Sequence, residues 1–309
     1  MKKIFVSGVG GFIGQALTKE LLKKNYQLYG LVQKKKKIKG VQTYQGDLMD
    51  FERIGQILKK VNPHFIIHLA ARTEVEKSFY EPVDFSLVNY GGTVNLIEKA
   101  RELKNLKLFI FSSTMETYGY QEDWQPFTET TEQNPNAPYA VAKLGCEKYL
   151  QYAGRTSNFP YCILRQTNTY GRVDNDFFVV EQIITQMLKN SKEINLGYAE
   201  PYRNFLYIDD LIKLYLTILR KPNKARQEIF CTGPANALKI KDLADKIAKM
   251  IGWKGKINWN RKRKRIGEVY YLNSRADKAK RILGWQPKIS LEDGLSRTIS
   301  IWSEKLRLR

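Results

Sequence analysis

The chain of 309 residues reads as an α/β protein built on a doubly wound parallel sheet. Three observations predict this. A short apolar run at residues 3–8 leads through a glycine-rich turn into a helical stripe. The same alternation of strand and helix then recurs along the first half of the chain. Finally, runs such as residues 65–70 and 106–112 are apolar almost throughout, as strands covered by helices on both faces require.

Taken in order, residues 3–8 form the first strand, and Phe12, Ile13, Leu17, Leu21 and Leu22 follow at helical spacing. Residues 27–32 and 41–44 read as strands, 51–60 as a helix, 65–70 as a strand, 83–103 as a long helix and 106–112 as a central strand. Helical crossovers of this length permit parallel pairing. From about residue 170 the rhythm loosens into helices at 178–189, 209–220, 240–251 and 291–302, separated by short strands such as 204–208 and 228–231. The expected organisation is a first domain over residues 1–168 and a smaller lobe over 169–309, with some of its strands returning to the main sheet. Neither an internal repeat nor a low-complexity linker is visible.

Composition bounds the function. No apolar stretch reaches the roughly 20 residues of a membrane helix, and Met1 leads straight into the first strand, so a cytoplasmic protein is expected. The three cysteines, Cys146, Cys162 and Cys231, fall at no metal or redox spacing and are expected to be reduced packing residues; no metal is expected. A formal charge of +21 points to an anionic ligand, a nucleic acid or an acidic surface. Its densest clusters are Lys34 to Lys37 and Arg261 to Arg265.

Gly8, Gly11 and Gly14 occupy the first turn between strand and helix. Glycine there lets the backbone turn tightly and approach a pyrophosphate, which rests on the N–H groups at the helix start. A dinucleotide is therefore the expected cofactor. An NAD site places an acid at the end of the second strand to hold the ribose 2′-hydroxyl. Here that strand ends Val32-Gln33 and runs into Lys34 and Lys35, which favours NADP over NAD. Asp47, after the third strand, is placed to accept from the adenine amino group.

Tyr139 and Lys143 stand four residues apart, on one face of a helix. A neighbouring ammonium and an oxidised nicotinamide both favour the phenolate, so Tyr139 is the expected base. Thr114 closes the apolar strand at 106–112 on the side where ligands collect in such sheets, and can bond the same substrate hydroxyl.

With these motifs the chain resembles the extended short-chain dehydrogenase/reductase family of nucleotide-sugar epimerases, dehydratases and 4-keto reductases. The likeness also rests on His68-Leu69-Ala70-Ala71, Asn89 before Gly91-Gly92-Thr93, Tyr118-Gly119, Leu164-Arg165, Asn168-Thr169-Tyr170-Gly171, Arg203 to Asp210, and Leu283-Gly284-Trp285-Gln286-Pro287. The resemblance implies a Rossmann-type sheet with a C-terminal substrate-binding lobe. It implies cofactor contacts from Phe12, Ile13, Gln33, Leu48, Leu69, Ala70 and Ala71 besides the glycines, lysines and Asp47. It further implies a nucleotide-diphosphate sugar held by Asn168, Arg203 and Arg265, with Thr114 and Met115 beside the sugar, and a homodimer. In the implied chemistry Tyr139 takes the 4-hydroxyl proton while hydride leaves C4. Glu116 matches the residue that removes the C5 proton in 4,6-dehydratases, but Met115 stands where those enzymes carry a residue able to protonate the departing 6-hydroxyl. An epimerase or dehydratase outcome is favoured over a 4-keto reductase. A reading from another class, a non-catalytic RNA-binding or regulatory member of the fold, would suit the charge but leaves the alignment of Tyr139, Lys143 and Thr114 without a purpose.

Overall fold

The computed structural model describes residues 1–34, 36–260 and 266–307. Seven parallel strands form the main sheet: β1 Lys2–Ser7, β2 Tyr26–Val32, β3 Val41–Gln45, β4 Phe65–His68, β5 Leu108–Thr114, β6 Tyr161–Gln166 and, beyond the short β7 Asn168–Tyr170, β8 Glu193–Leu196, β9 Tyr202–Arg203 and β10 Phe205–Tyr207, the returning β11 Glu228–Cys231. Their spatial order is β11-β6-β5-β4-β1-β2-β3. Strand order reverses at β1, whose neighbours are β2 and β4. The crevice at the carboxyl ends of these strands is where such sheets bind ligands.

Alternation along the strands builds two cores. Ile4, Val6, Phe65 and Ile67 face the helices Phe12–Leu21 and Ile208–Arg220, while Phe5, Ile66, Phe109 and Phe111 face Phe51–Val61, Gly92–Arg101 and Pro138–Ser157. All eight strand residues are buried, which explains why the sequence shows continuous apolar runs. Cys146, Cys162 and Cys231 are buried free thiols, as packing residues should be.

Beyond β6 the chain forms smaller sheets. β10 pairs with β7; β9 lies between β12 (Leu238–Lys239) and β14 (Tyr271–Leu272); and β13 (Lys256–Trp259) pairs with β8. Among the described residues no helix is long and apolar enough to cross a membrane.

Two differences from the sequence reading have physical causes. The helix expected over 83–103 is instead Pro82–Ser86, a π turn Leu87–Gly91 and Gly92–Arg101. The π turn brings Asn89 inward. Its Oδ1 accepts from Arg72 N (2.8 Å) and its Nδ2 donates to Arg72 O (2.9 Å). Cys146 Sγ contacts its carbonyl at 3.2 Å. Here the second glycine lets the helix lie against the loop after β3, since a Cβ on Gly92 would stand 2.8 Å from that of Leu48. Strand β6, which the sequence reading did not assign, follows the helix Pro138–Ser157 and runs almost directly into β7, so its pattern is not set off by flanking turn signals.

Candidate active site

The first turn is shaped as a cradle. Gly8 has φ +74°, and a Cβ there would meet Ala70 N at 2.7 Å; one on Gly14 would meet Gly8 O at 2.3 Å. Gly11 N donates to Gly8 O at 3.0 Å, and no side chain caps the helix that starts at Phe12. Glycine at 8 and 14 thus lets the turn close on itself, and backbone N–H groups are left at the positive end of the helix beside the cleft. These residues fit a dinucleotide pyrophosphate.

The cleft that opens from this turn holds about 810 Å³. Gly8, Gly11, Phe12, Ile13, Gly14, Leu69, Ala70 and Ala71 line one end; Thr114, Glu116, Tyr139 and Lys143 line the middle; Asn168 and Arg203 line the far end. Of the other residues proposed from sequence, Gln33, Lys34, Asp47 and Leu48 lie off this wall. Asp47 Oδ1 accepts from Met49 N at 2.9 Å, which steadies its own loop. Lys35 and Arg265 lie outside the described residues, as do Arg261 to Lys264. Met115 does not touch the cleft: it is buried in an apolar cluster with Tyr118, Phe127, Cys231, Val269 and Leu272. An unbranched apolar side chain at this position is pulled into the core instead of toward a ligand.

Thr114 ends β5 and caps the 3₁₀ turn Met115–Tyr118, its Oγ1 accepting from Glu116 N at 3.2 Å. Pro138 begins the helix that carries Tyr139 and Lys143. Both side chains are buried. The Thr114 hydroxyl acts on the Tyr139 phenol to favour its ionised form. Lys143 Nζ donates to Ser112 O at 2.8 Å and lies 4.7 Å from the Phe111 ring centre.

In the cofactor-free protein burial dominates the electrostatics of the pair. Burial lowers the Lys143 ammonium to about 8, with Cys146 and Glu147 acting the other way. The Tyr139 phenol is raised, by burial first and by the Glu116 carboxylate second, and the Thr114 hydroxyl only opposes this. With no cofactor bound, the phenol is thus held as an acid. The physical reason is that desolvation of a phenolate outweighs a single neighbouring hydroxyl. Beneath the pair, His68 bonds Ser7 Oγ through Nδ1 (2.5 Å) and Thr93 Oγ1 through Nε2 (2.8 Å). Burial, reinforced by Lys143, drops its pKa to about 3, so it is neutral.

Several residues of the cleft were given no role from sequence. Glu268 accepts from Arg203 Nη2 at 2.7 Å, both being largely buried; the spacing from Arg265 was visible, but the pairing across 65 residues was not. The Arg172 guanidinium lies 4.3 Å from the ring centre of Phe12 and 3.8 Å from that of Phe178, and 3.7 Å from Glu181. Lys36 folds over the first turn, with Nζ 3.7 Å from the point a Gly10 Cβ would occupy.

A family model described as GDP-mannose 4,6 dehydratase matches residues 5–298. The chain belongs to the extended short-chain dehydrogenase/reductase family of nucleotide-sugar epimerases and dehydratases. Within it, the dTDP-D-glucose 4,6-dehydratase of Dictyostelium discoideum is 33% identical over 247 residues, covering 72% of this chain and 56% of the relative. The chain therefore spans little more than half the length of that relative. A Methanocaldococcus jannaschii protein assigned as a UDP-glucose 4-epimerase is 30% identical over 306 residues, 96% of this chain and 97% of the relative. The UDP-glucose 4-epimerase of Thermotoga maritima, solved with UDP-glucose, superposes with a TM-score of 0.92 at 29% identity, covering 98% of this chain and 99% of that one. Family members thus include both dehydratases and epimerases, two outcomes of one fold.

Proposed function

We propose that the chain catalyses NAD(P)-dependent oxidation at C4 of a nucleotide-linked hexose, followed by elimination or epimerisation. The observation that carries this reading is the place of Thr114, Tyr139 and Lys143 in the middle of one cleft. The glycine cradle lies on one side of them, and Asn168 and Arg203 on the other. A bound NAD(P)⁺ supplies the hydride acceptor. Thr114 Oγ1 and Tyr139 Oη grip the sugar 4-hydroxyl, and Tyr139 takes its proton as charge from the cofactor offsets the desolvation that otherwise keeps the phenol neutral. Lys143 holds positive charge beneath the phenol. Arg203, oriented by Glu268, is aimed along the cleft for the diphosphate, a geometry guanidinium suits.

Glu116 favours elimination. It lines the cleft and lies near enough to Tyr139 to raise the phenol, which supports the reading that its carboxylate removes an acidified C5 proton. Met115 offers no proton and is turned away, which leaves Glu116 or a water to serve the departing 6-hydroxyl. Epimerisation, the second reading, needs only Thr114, Tyr139 and Lys143.

We further infer NADP over NAD, because no acid follows β2 and Lys34 and Lys36 place ammonium groups there, Lys36 beside Gly10. A homodimer is proposed through the helices around residues 82–101 and 138–157, where Val83, Leu87, Tyr90 and Val141 are exposed. Incubation of the purified protein with UDP-, dTDP- and GDP-hexoses, followed by mass spectrometry, tests the central reading. Loss of water marks a dehydratase and unchanged mass with altered stereochemistry an epimerase. Absence of product and of reduced cofactor with every nucleotide-sugar overturns it.

A further inference from the structure

The helix Pro138–Ser157 carries a third group on the stripe of Tyr139 and Lys143. Glu147 lies one turn beyond Lys143 and is wholly buried. Its carboxylate takes Arg165 Nε at 3.3 and 3.0 Å and Nη2 at 2.8 Å, a forked ion pair. It also accepts from Gln133 Nε2 at 3.1 Å and from Ser113 Oγ. Arg165, on β6, uses Nη1 to reach Tyr118 Oη at 2.9 Å and Glu129 O at 3.1 Å, and Tyr118 Oη donates to Thr128 O at 2.6 Å. Ser113 immediately precedes Thr114. Tyr118 closes the turn that carries Glu116. One carboxylate thus ties together every element that delivers a group to the middle of the cleft.

Stability does not account for this arrangement. A buried ion pair repays its desolvation poorly, and apolar side chains of similar volume often serve as well or better. What a fork adds is fixed orientation. We propose that Glu147, held by Arg165, is a positioning residue that sets the stagger of the helix against β5, so that Tyr139 meets Thr114 and Lys143 keeps its place beneath the phenol. This rests on the function proposed above.

Glu147 acts on Lys143 electrostatically as well. The groups acting on Lys143 are Cys146 and Glu147 on its own helix, His68 on β4, and the Ser112 carbonyl and Phe111 ring on β5. His68 is neutral. Burial pushes the Cys146 thiol up to about 11, so it carries no charge near pH 8, where Lys143 titrates. Glu147 is therefore the anion that supports the ammonium.

The experiment is an NMR titration of the full chain labelled at lysine Cε, with Lys143 assigned by Lys143→Met, alongside steady-state kinetics. In the parent, Lys143 should titrate near 8. In Glu147→Gln it should move down by on the order of one pH unit, as for an opposite charge one helical turn away. The alkaline limb of kcat should follow it, kcat should fall about tenfold and KM should stay within about threefold. Arg165→Lys, which keeps the charge and loses the fork, should lower kcat without moving the Lys143 titration. If Glu147→Gln does not fold, the charge-neutral pair Glu147→Met with Arg165→Met takes its place; a smaller downward shift is expected, because the Arg165 cation is lost together with the Glu147 anion, with the same fall in kcat. An unmoved Lys143 titration, or parent-like kcat in a folded variant, overturns the proposal. The NMR arm needs no substrate, so a protein that turns over no nucleotide-sugar would defeat the functional reading and leave this result standing or falling by itself.

Discussion

Replacing Lys143 by methionine should change how stability varies with pH, and the size of the change follows from the burial of the ammonium. In the cofactor-free protein the group falls from its ordinary 10.5 to about 8. Between those values the unfolded chain binds the proton and the folded chain does not, so folding becomes more favourable as pH rises through this window. At about 1.4 kcal/mol per pH unit, the parent should gain about 3 kcal/mol relative to Lys143→Met across the window, most of it by pH 10. Loss of the bond to Ser112 O (2.8 Å) takes away that carbonyl's side-chain partner and costs the variant about 1–3 kcal/mol. That cost is independent of pH and shifts the curve without tilting it. Tyr139 acts in the opposite direction only above pH 10, where its raised phenol stays protonated in the folded state. Urea unfolding of both proteins at pH 7.5, 8.5, 9.3 and 10, followed by tryptophan fluorescence, measures the difference. A difference constant to within about 0.5 kcal/mol, the usual reach of a surface substitution, would refute the reasoning.

Tyr139→Phe should lower turnover on the order of 100-fold or more with cofactor binding retained, because only the proton-moving hydroxyl is lost; activity within a few-fold of the parent in a steady-state assay would remove Tyr139 from the chemistry. Glu116→Gln should abolish solvent-deuterium incorporation at C5 while a 4-keto product and reduced cofactor still form, as mass spectrometry and absorbance will show; an enzyme that exchanges no C5 proton in the parent is not a dehydratase. Lys34→Ala with Lys36→Ala should weaken NADP far more than NAD in fluorescence titrations and flatten the salt dependence of NADP binding, whereas equal affinity of the parent for both would show the lysines to be solvated. His68, whose folded pKa is depressed to about 3, supplies stability that is complete above about pH 6.5 and lost as pH falls toward 3; urea midpoints should fall over that range in the parent and less steeply in His68→Gln.

Much of this protein is legible as sequence because its signals are local. A glycine every third residue after an apolar strand, a tyrosine and lysine one helical turn apart, and continuous apolar runs each follow from bonds and packing within a few residues. The helix Ile240–Ile251 and the strand Glu228–Cys231 coincide with their expected bounds for the same reason. What the tertiary structure alone decided are pairings across long loops and the dielectric each group experiences. Met115 follows Thr114 directly, yet whether it faced ligand or core depended on Phe127, Cys231 and Leu272 closing over it. Arg203 and Glu268, or Glu147 and Arg165, show no mutual spacing that predicts a salt bridge. The direction in which Tyr139 moves in the cofactor-free protein was likewise hidden, since a lysine one turn away argues for the phenolate, whereas burial and the Glu116 carboxylate, both properties of the assembled core, oppose it. Sequence by itself determined which chemical groups the cleft contains; only the folding of distant segments around them determined which of those groups touch, and in what state of charge, because contact and desolvation are properties of the packed chain and not of any stretch of it.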